Sequence, residues 1–415
     1  MDKTALNRPL PLLGGLSPRQ FMARHWQKQP LLIRGAWPGV RAPASRTELF
    51  ALAGSDAVES RCVEQTRRAA LPPSPPTPPS MPQGTPKDRS PRAGKGQGAD
   101  WKLRHGPFHR RALPPLQRPG WTLLVQGLNL HLDSAHQMMR AFDFIAQVRQ
   151  DDLMLSYASD GGGVGPHVDS YDVFLLQVAG RRRWSIAPPD PGARLIEGLP
   201  LKVLAEFTPE QEWVLEPGDM LYLPPGWGHE GVAVGGDCMT ASIGFRAPTA
   251  AELVTALAAR MTDEVADGAA GAGYSRRHTD PRLGATSNGA QIPSALERFA
   301  ATQMRRLLSD EALRRRALGS WLTEPHPTVW FEGCEENHDT AQPLWADRRS
   351  RIAYDQDHLY FNGEAYRVEG RDADILRRLA DEGRLGPDLV RRLSLPAREA
   401  VQEWWRLGWL IQKAL

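Results

Sequence analysis

A chain of 415 residues with a hydrophobic fraction of 41% is too long for one ordinary domain and has enough apolar residues for two or three sizeable cores. The near balance of 51 Lys and Arg against 48 Asp and Glu excludes a nucleic-acid partner held by charge along the whole chain. Three widely spaced cysteines without a CxxC exclude a disulfide framework or thiolate metal site, and no apolar run reaches the roughly 18 residues of a membrane span.

The N-terminal stretch is broken by Pro9, Pro11 and glycines, so it lacks the apolar core of a signal peptide, and a cytoplasmic location is expected. Residues 17–53 open as a helix, with Ser17 as N-cap and Pro18 at the first helical position. LLIRGAW (31–37) reads as a short strand. Thr47 is a candidate cap for a further helix ending at Gly54, and SRCVEQ (60–65) is another strand. Residues 67–100 are rich in Pro, Gly, Ser and basic residues and almost empty of large apolar ones. Such a segment cannot bury enough surface to offset its ordering entropy, so disorder is expected there. WTLLVQGLNLH (121–131) is an apolar run of either type, 134–148 reads as a helix capped by Ser134, and DDLMLSYAS (151–159) as a strand with Met154, Ser156 and Ala158 on one face.

From residue 173 short strands dominate. VFLLQV and RWSIA flank an expected turn at Ala179–Gly180, and Glu216–Asp219 reads as a tight turn between two more. This pattern suggests a sandwich or barrel of the jelly-roll kind. After Phe245 the pattern turns helical, over 249–266 and 295–322. The last ninety or so residues mix strand pairs, one of them around Asn362-Gly363, with helices at 372–382, 387–393 and 397–413, which suggests a winged-helix module. Trp404, Trp405 and Trp409 read as the buried face of that last helix.

The chemistry concentrates in GGGVGPHVDSYDVFLLQVAGRRRW (161–184). His167 and Asp169 stand at strand spacing, so they share a face. His229 follows in PPGWGHEGVAV. Two imidazoles and a carboxylate with open positions beside them suit Fe(II). Three free positions would accept a chelating keto acid and dioxygen. The far carboxylate of such an acid needs a cation, and the cluster Arg181–Arg183 offers three. Strand parity sets Arg182 apart from Arg181 and Arg183, and Arg182 is the one expected to face inward, where its fork can hold a carboxylate. Hydroxyls of Ser156, Thr240 and Ser242 are candidates to complete that site. His105, His109, His131 and His136 lack ligand-type partners, Glu230 should point away, and GGGVG is no phosphate loop because no Lys-Ser/Thr follows. Trp213 and Trp227 read as packing. A cationic target would need acidic residues near the metal, and Asp160 and Asp172 are the candidates.

These motifs, together with LEPGDMLYLPPGWGHEG, SIGFRAPT, HWQKQPLLIRGA and HGPF, resemble the bacterial JmjC-type ribosomal oxygenases. The resemblance runs from about residue 20 to 65 and 101 to 250, and more loosely to the end. It implies a double-stranded β-helix (cupin/JmjC) core over 1–248, a helical dimerisation region over 249–325 and a winged-helix-like domain over 326–415. It implies iron ligands at His167, Asp169 and His229 and a 2-oxoglutarate anchor at Arg182, with Ser156 and Thr240 assisting. It further implies Fe(II), 2-oxoglutarate and O2 as reactants, a homodimer, and hydroxylation at C3 of an arginine in large-subunit ribosomal protein sixteen. The proline-rich insertion departs from the family pattern. Two other readings remain: a JmjC-like shell that binds during ribosome assembly without turnover, or a hydroxylase of another protein. Direct nucleic-acid binding through the C-terminal module is not expected, since Arg391 and Arg392 are too few for a recognition helix.

Overall fold

The computed structural model describes residues 4–66, 100–268 and 274–413. The chain divides into two units, one of residues 2–128 with 152–245 and one of 129–151 with 246–415. The second unit therefore borrows a segment from the middle of the chain.

The first unit opens with α1 (Pro18–Arg24) and α2 (Arg46–Leu52). Ser17 accepts from the Gln20 backbone N–H while Gln20 returns a bond to the Ser17 N–H, a reciprocal capping box. The expected cap Thr47 is corrected to Ser45, which makes the same exchange with Glu48. The helix starts earlier because Ser45 has a Glu three residues on, whereas Thr47 has Phe50.

Among the described residues ten strands form its sheet: β1 (Leu31–Ile33), β2 (Ser60–Thr66), β3 (Asp100–His105), β4 (Trp121–Val125), β5 (Gln150–Ala158), β6 (His167–Val168), β7 (Asp172–Ala187), β8 (Gln211–Leu215), β9 (Met220–Leu223) and β10 (Gly228–Phe245). Their order is β1-β9-β7-β10-β5-β4-β2-β3, with β6 on β10 and β8 on β7, and the paired strands run antiparallel. This is an antiparallel core of the jelly-roll kind. β2 and β3 pair with Thr66 opposite Asp100, so the proline-rich segment joins the two arms of one hairpin. The disorder expected for it falls at 67–99, outside the described residues.

The expected turn at Ala179–Gly180 is a bend within a single strand. β7 runs through it with Gly180 at φ 62°, and both halves pair with β10: 181–187 with 228–234, and 172–179 with 239–245. Residues 235–238 bulge opposite the bend, with Gly235 and Asp237 at φ 81° and 54°. A bulge shifts side-chain parity. Val173 and Leu175 line a cavity before the bend, Arg182 and Trp184 after it.

In the second unit, α3 (Leu128–His131) and α4 (Asp133–Arg140) precede α5 (Ala250–Ala266), α6 (Ser294–Ser309) and α7 (Glu311–Leu322). The apolar run 121–131 is thus split between β4 and α3. The helix expected over 134–148 begins at Asp133 without a side-chain cap from Ser134 and ends at Arg140. The single helix expected over 295–322 breaks at Asp310, whose backbone leaves the helical region (ψ 96°) and whose carboxylate accepts from the Leu313 N–H. Asp competes with the helix ladder in this way and favours a cap over an interior position.

Next come β11 (Leu344–Ala346), β12 (Ile352–Tyr354), β13 (His358–Phe361), β14 (Glu364–Arg367), α8 (Gly370–Glu382), β15 (Arg384–Leu385), α9 (Pro387–Arg392), α10 (Leu395–Arg406) and β16 (Leu410–Ile411). They make two three-stranded sheets, β15-β11-β16 and β12-β13-β14. Asn362 and Gly363 turn the latter hairpin at φ 50° and 93°. The terminal helix ends at Arg406, short of the expected 413, because Gly408 at φ 74° sends the chain into β16. Trp404 is fully buried on Phe361 and Tyr366, with ring centroids 5.0 Å away in each case.

Replacing Ser45 by Ala removes a cap and should cost about 1 kcal/mol, read as a lower melting temperature, while Thr47→Ala should stay within about 0.5 kcal/mol. Equal effects of the two variants would return the cap to Thr47.

Candidate metal centre

The site is built on the register of β6 with β10, where His167 lies directly opposite His229. Their rings are 4.2 Å apart, and His229 Nε2 stands 3.6 Å from Asp169 Oδ2. One donor atom from each of His167, Asp169 and His229 lies within 4.8 Å of the others, the one such group among the described residues. In both imidazoles Nδ1 meets a backbone carbonyl two residues earlier: Gly165 at 2.9 Å from His167 and Trp227 at 3.0 Å from His229. A carbonyl only accepts, so Nδ1 carries the proton and Nε2 keeps its lone pair for a ligand. Burial, and then the neighbouring His167, hold His229 neutral by pushing its pKa down, against the opposing pull of Asp169.

The glycine loop delivers His167 by close backbone contact. Gly161 N–H donates to the Ala233 carbonyl and Ala233 N–H to Gly162, which stitches the loop onto β10. A Cβ at Gly162 would lie 2.3 Å from the Trp121 carbonyl oxygen, and one at Gly163 would lie 2.5 Å from that of Gly231. Gly231, on the same strand face as His229, would with a Cβ come within 2.7 Å of the Trp184 ring. The glycines are therefore places where two strands and an indole touch.

The triad opens into a cavity of about 430 Å³, which Ser156, Arg182, Trp184 and Ser242 also line. Among the three arginines, Arg181 is exposed, Arg183 lies 3.7 Å from Glu212, and Arg182 is buried with its guanidinium over Trp184. Arg182 Nη1 donates to Ser156 Oγ at 3.1 Å and to Thr240 Oγ1 at 3.2 Å, while its Nε has no protein partner. Both hydroxyls are free to accept because their protons go elsewhere: Thr240 to Gln177 Oε1 at 2.9 Å, and Ser156 to the Thr240 carbonyl at 3.3 Å. Ser156 lines the cavity; Thr240 sits behind Arg182 and does not.

Sequence reading passed over Gln177. It is fully buried in an apolar run, opposite Thr240 across the strands. Its amide donates to the Ala179 and Gly180 carbonyls at 2.7 and 3.3 Å, which orients the oxygen toward Thr240. A glutamine inside VFLLQV was the available signal, since a buried polar group must find partners. The acidic candidates are corrected. Asp172 is fully buried, bonded to Tyr222 Oη at 2.6 Å and Gln27 Nε2 at 2.9 Å, and Asp160 accepts from the exposed Gly235 N–H. Asp152, on the same β5 face as Met154 and Ser156, is the acidic residue that lines the cavity beside Asp169. Trp213 and Trp227 pack against the apolar cluster around Trp184 and Leu221.

Residues 137–253 match the JmjC domain family. The chain is 35% identical over 241 residues to the ribosomal protein uL16 3-hydroxylase of Escherichia coli K12, covering 57% of this chain and 55% of that one. It is 31% identical over 248 residues to a probable ribosomal oxygenase of Haemophilus influenzae, covering 58% and 52%. The chain thus spans about half the length of the curated relatives it matches. The structure of YcfD, a ribosomal oxygenase from E. coli, in complex with cobalt and 2-oxoglutarate, superposes with a TM-score of 0.73 at 26% identity, over 96% of this chain and 99% of that one.

Gly231→Ala should destabilise the protein by about 1–3 kcal/mol, because the added methyl overpacks against Trp184. A thermal melt unchanged from wild type would show that Trp184 yields freely. Residues 137–253 thus match the JmjC domain family, and in fold and sequence the chain resembles the JmjC-type ribosomal oxygenases.

Proposed function

We propose that this protein is a 2-oxoglutarate- and Fe(II)-dependent dioxygenase that hydroxylates an arginine β-carbon (C3) of a large-subunit ribosomal protein. One observation carries the reading: a His-Asp-His triad and a buried guanidinium with a free edge line the same cavity.

The residues fit the reactants. Two imidazoles and one carboxylate, without thiolate, suit Fe(II), and His167, Asp169 and His229 would hold it. A buried cation with an unused N–H fits a carboxylate, and Arg182 would hold the far end of 2-oxoglutarate. When bound, these two groups supply dioxygen activation coupled to decarboxylation, so that substrate C–H, O2 and 2-oxoglutarate become alcohol, succinate and CO2. The chain's own part is placement. Gly165 and Trp227 carbonyls fix the ring orientations of the two histidines. Gln177 and Thr240 hold Arg182 at one height on the wall. Asp152 offers the charge that a cationic target side chain needs.

The wider reading follows the relatives. A winged-helix module is supported by α8–α10 packing with the β15-β11-β16 sheet around Trp404. A helical dimerisation region is supported by apolar side chains left exposed on or beside α5 and α6: Val254, Ile292 and Leu308 at 68%, 72% and 59%. A cytoplasmic setting is supported by three free cysteines. Direct nucleic-acid binding has no place in this reading, and Arg391 on α9 is paired with Asp388.

Incubation with Fe(II), 2-oxoglutarate and the purified ribosomal protein should add one oxygen atom to an arginine, seen by mass spectrometry, with succinate formed in step. His229→Ala should abolish both. Absence of oxygen gain and of succinate above background with the wild-type protein would sink the proposal. In the same assay Asp152→Asn should raise KM for the protein substrate by about tenfold or more while the KM for 2-oxoglutarate stays in place.

A further inference from the structure

The second unit holds a cleft with no part in that chemistry. It has two lobes, of about 80 and 200 Å³, which share His136, Arg140, Gln147, Arg348 and Ser350. Four arginines line the smaller lobe, Arg140, Arg348, Arg349 and Arg351, against one carboxylate, Asp151.

Three of these cations have protein carboxylates of their own. Arg140 Nε is 2.7 Å from Asp143, Arg348 Nη1 is 3.1 Å from Asp133, and Arg349 grips Asp347 through two nitrogens at 2.7 and 2.9 Å. Arg351 has none. Its side chain makes no hydrogen bond or ion pair among the described residues, and its charged neighbours are Arg246, of like sign, and Asp151. Asp151 is already engaged by Arg246 Nε at 2.9 Å. Burial, and then Arg246, push the Arg351 pKa down to about 10, which marks an environment hostile to its charge.

The backbone that presents Arg351 is held in place. Asn362 clamps it from both sides, accepting from the Arg351 N–H at 2.8 Å through Oδ1 and donating its own N–H to the Arg351 carbonyl at 3.0 Å. Ser350 Oγ is tied to the Trp409 carbonyl at 3.1 Å and to Asn362 Nδ2 at 3.2 Å. His136, which also lines the lobe, is kept neutral by burial, its pKa pushed down to about 4, and so adds no cost in charge. A half-buried, preorganised guanidinium without a counter-charge, facing a void ringed by other guanidinium groups, is the arrangement that a bound oxyanion completes.

We propose that the smaller lobe binds a small phosphate-type oxyanion, with Arg351 as its principal ligand and Arg348 and Arg349 at its rim. The free anion and a phosphate monoester present the same oxygens, and the lobe has room for that group.

The test uses the full-length protein in phosphate-free buffer at fixed ionic strength. Inorganic phosphate should raise the melting temperature in a saturable way, beyond any effect of chloride. Arg351→Met should melt above wild type without phosphate, because an uncompensated buried charge is gone, and should not respond to phosphate. Arg351→Lys keeps the charge but loses the fork, and should need roughly tenfold more phosphate for half the effect. AMP as a second probe should stabilise as phosphate does if monoesters enter. The proposal is overturned if phosphate does no more than chloride, if Arg351→Met responds as wild type does, or if only RNA, and neither phosphate nor AMP, shifts the melt.

Discussion

The pairing of His167 with His229 across β6 and β10 is the constraint on which the candidate site rests. It sets two donor atoms side by side with no loop between them. β10 then continues without leaving the sheet, through the bulge at 235–238, to Thr240 and Ser242. β7 answers that bulge with its own bend at Gly180, and the bend turns Arg182 into the cavity that Val173 and Leu175 line from the other half. His229 and Arg182 therefore lie on two strands bonded along nearly their whole length, with His167 paired to His229 from β6. Their separation is a property of the sheet, which is stiffer than any pair of loops. The glycines around them serve the same end by letting the backbone of the loop and Trp184 come into contact.

Much of this arrangement is legible in the sequence because strands repeat every two residues. That rule alone puts His167 with Asp169 and separates Arg182 from its neighbours. It does not reveal the bend in β7, because Ala179-Gly180 reads equally well as a turn, and only the partner strand decides. It also passes over Gln177, whose neighbours are all apolar and whose role appears only when Thr240 lies opposite. Asp172 looked available beside the site, yet Tyr222 and Gln27, distant in sequence, consume both its oxygens. Helix ends were misplaced where a local cap competed with periodicity, as at Ser45 and Asp310. The grouping of residues 129–151 with the C-terminal half has no signal along the chain at all, since it depends on contacts such as those 95 and 241 residues apart in sequence.

The two units handle buried positive charge in the same manner. Several cations in each are paired with a nearby carboxylate, as with Arg104 on Glu64 at 3.1 Å or Arg349 on Asp347. Arg182 and Arg351 differ. Each is withdrawn from bulk solvent, lacks a carboxylate partner and borders a void. Retaining such a group costs stability unless something supplies the missing charge. For Arg182 the surrounding chemistry points to a dicarboxylate, since hydroxyls already fill one side of its fork and the triad shares its cavity.

The most direct test of the central claim is equilibrium binding of 2-oxoglutarate to the metal-loaded protein without oxygen, for wild type, Arg182→Gln and His167→Ala. If one sheet sets both ends of the site, wild type binds, Arg182→Gln loses affinity by about tenfold or more while still taking up metal, and His167→Ala loses both. Undiminished 2-oxoglutarate affinity in Arg182→Gln would contradict the account.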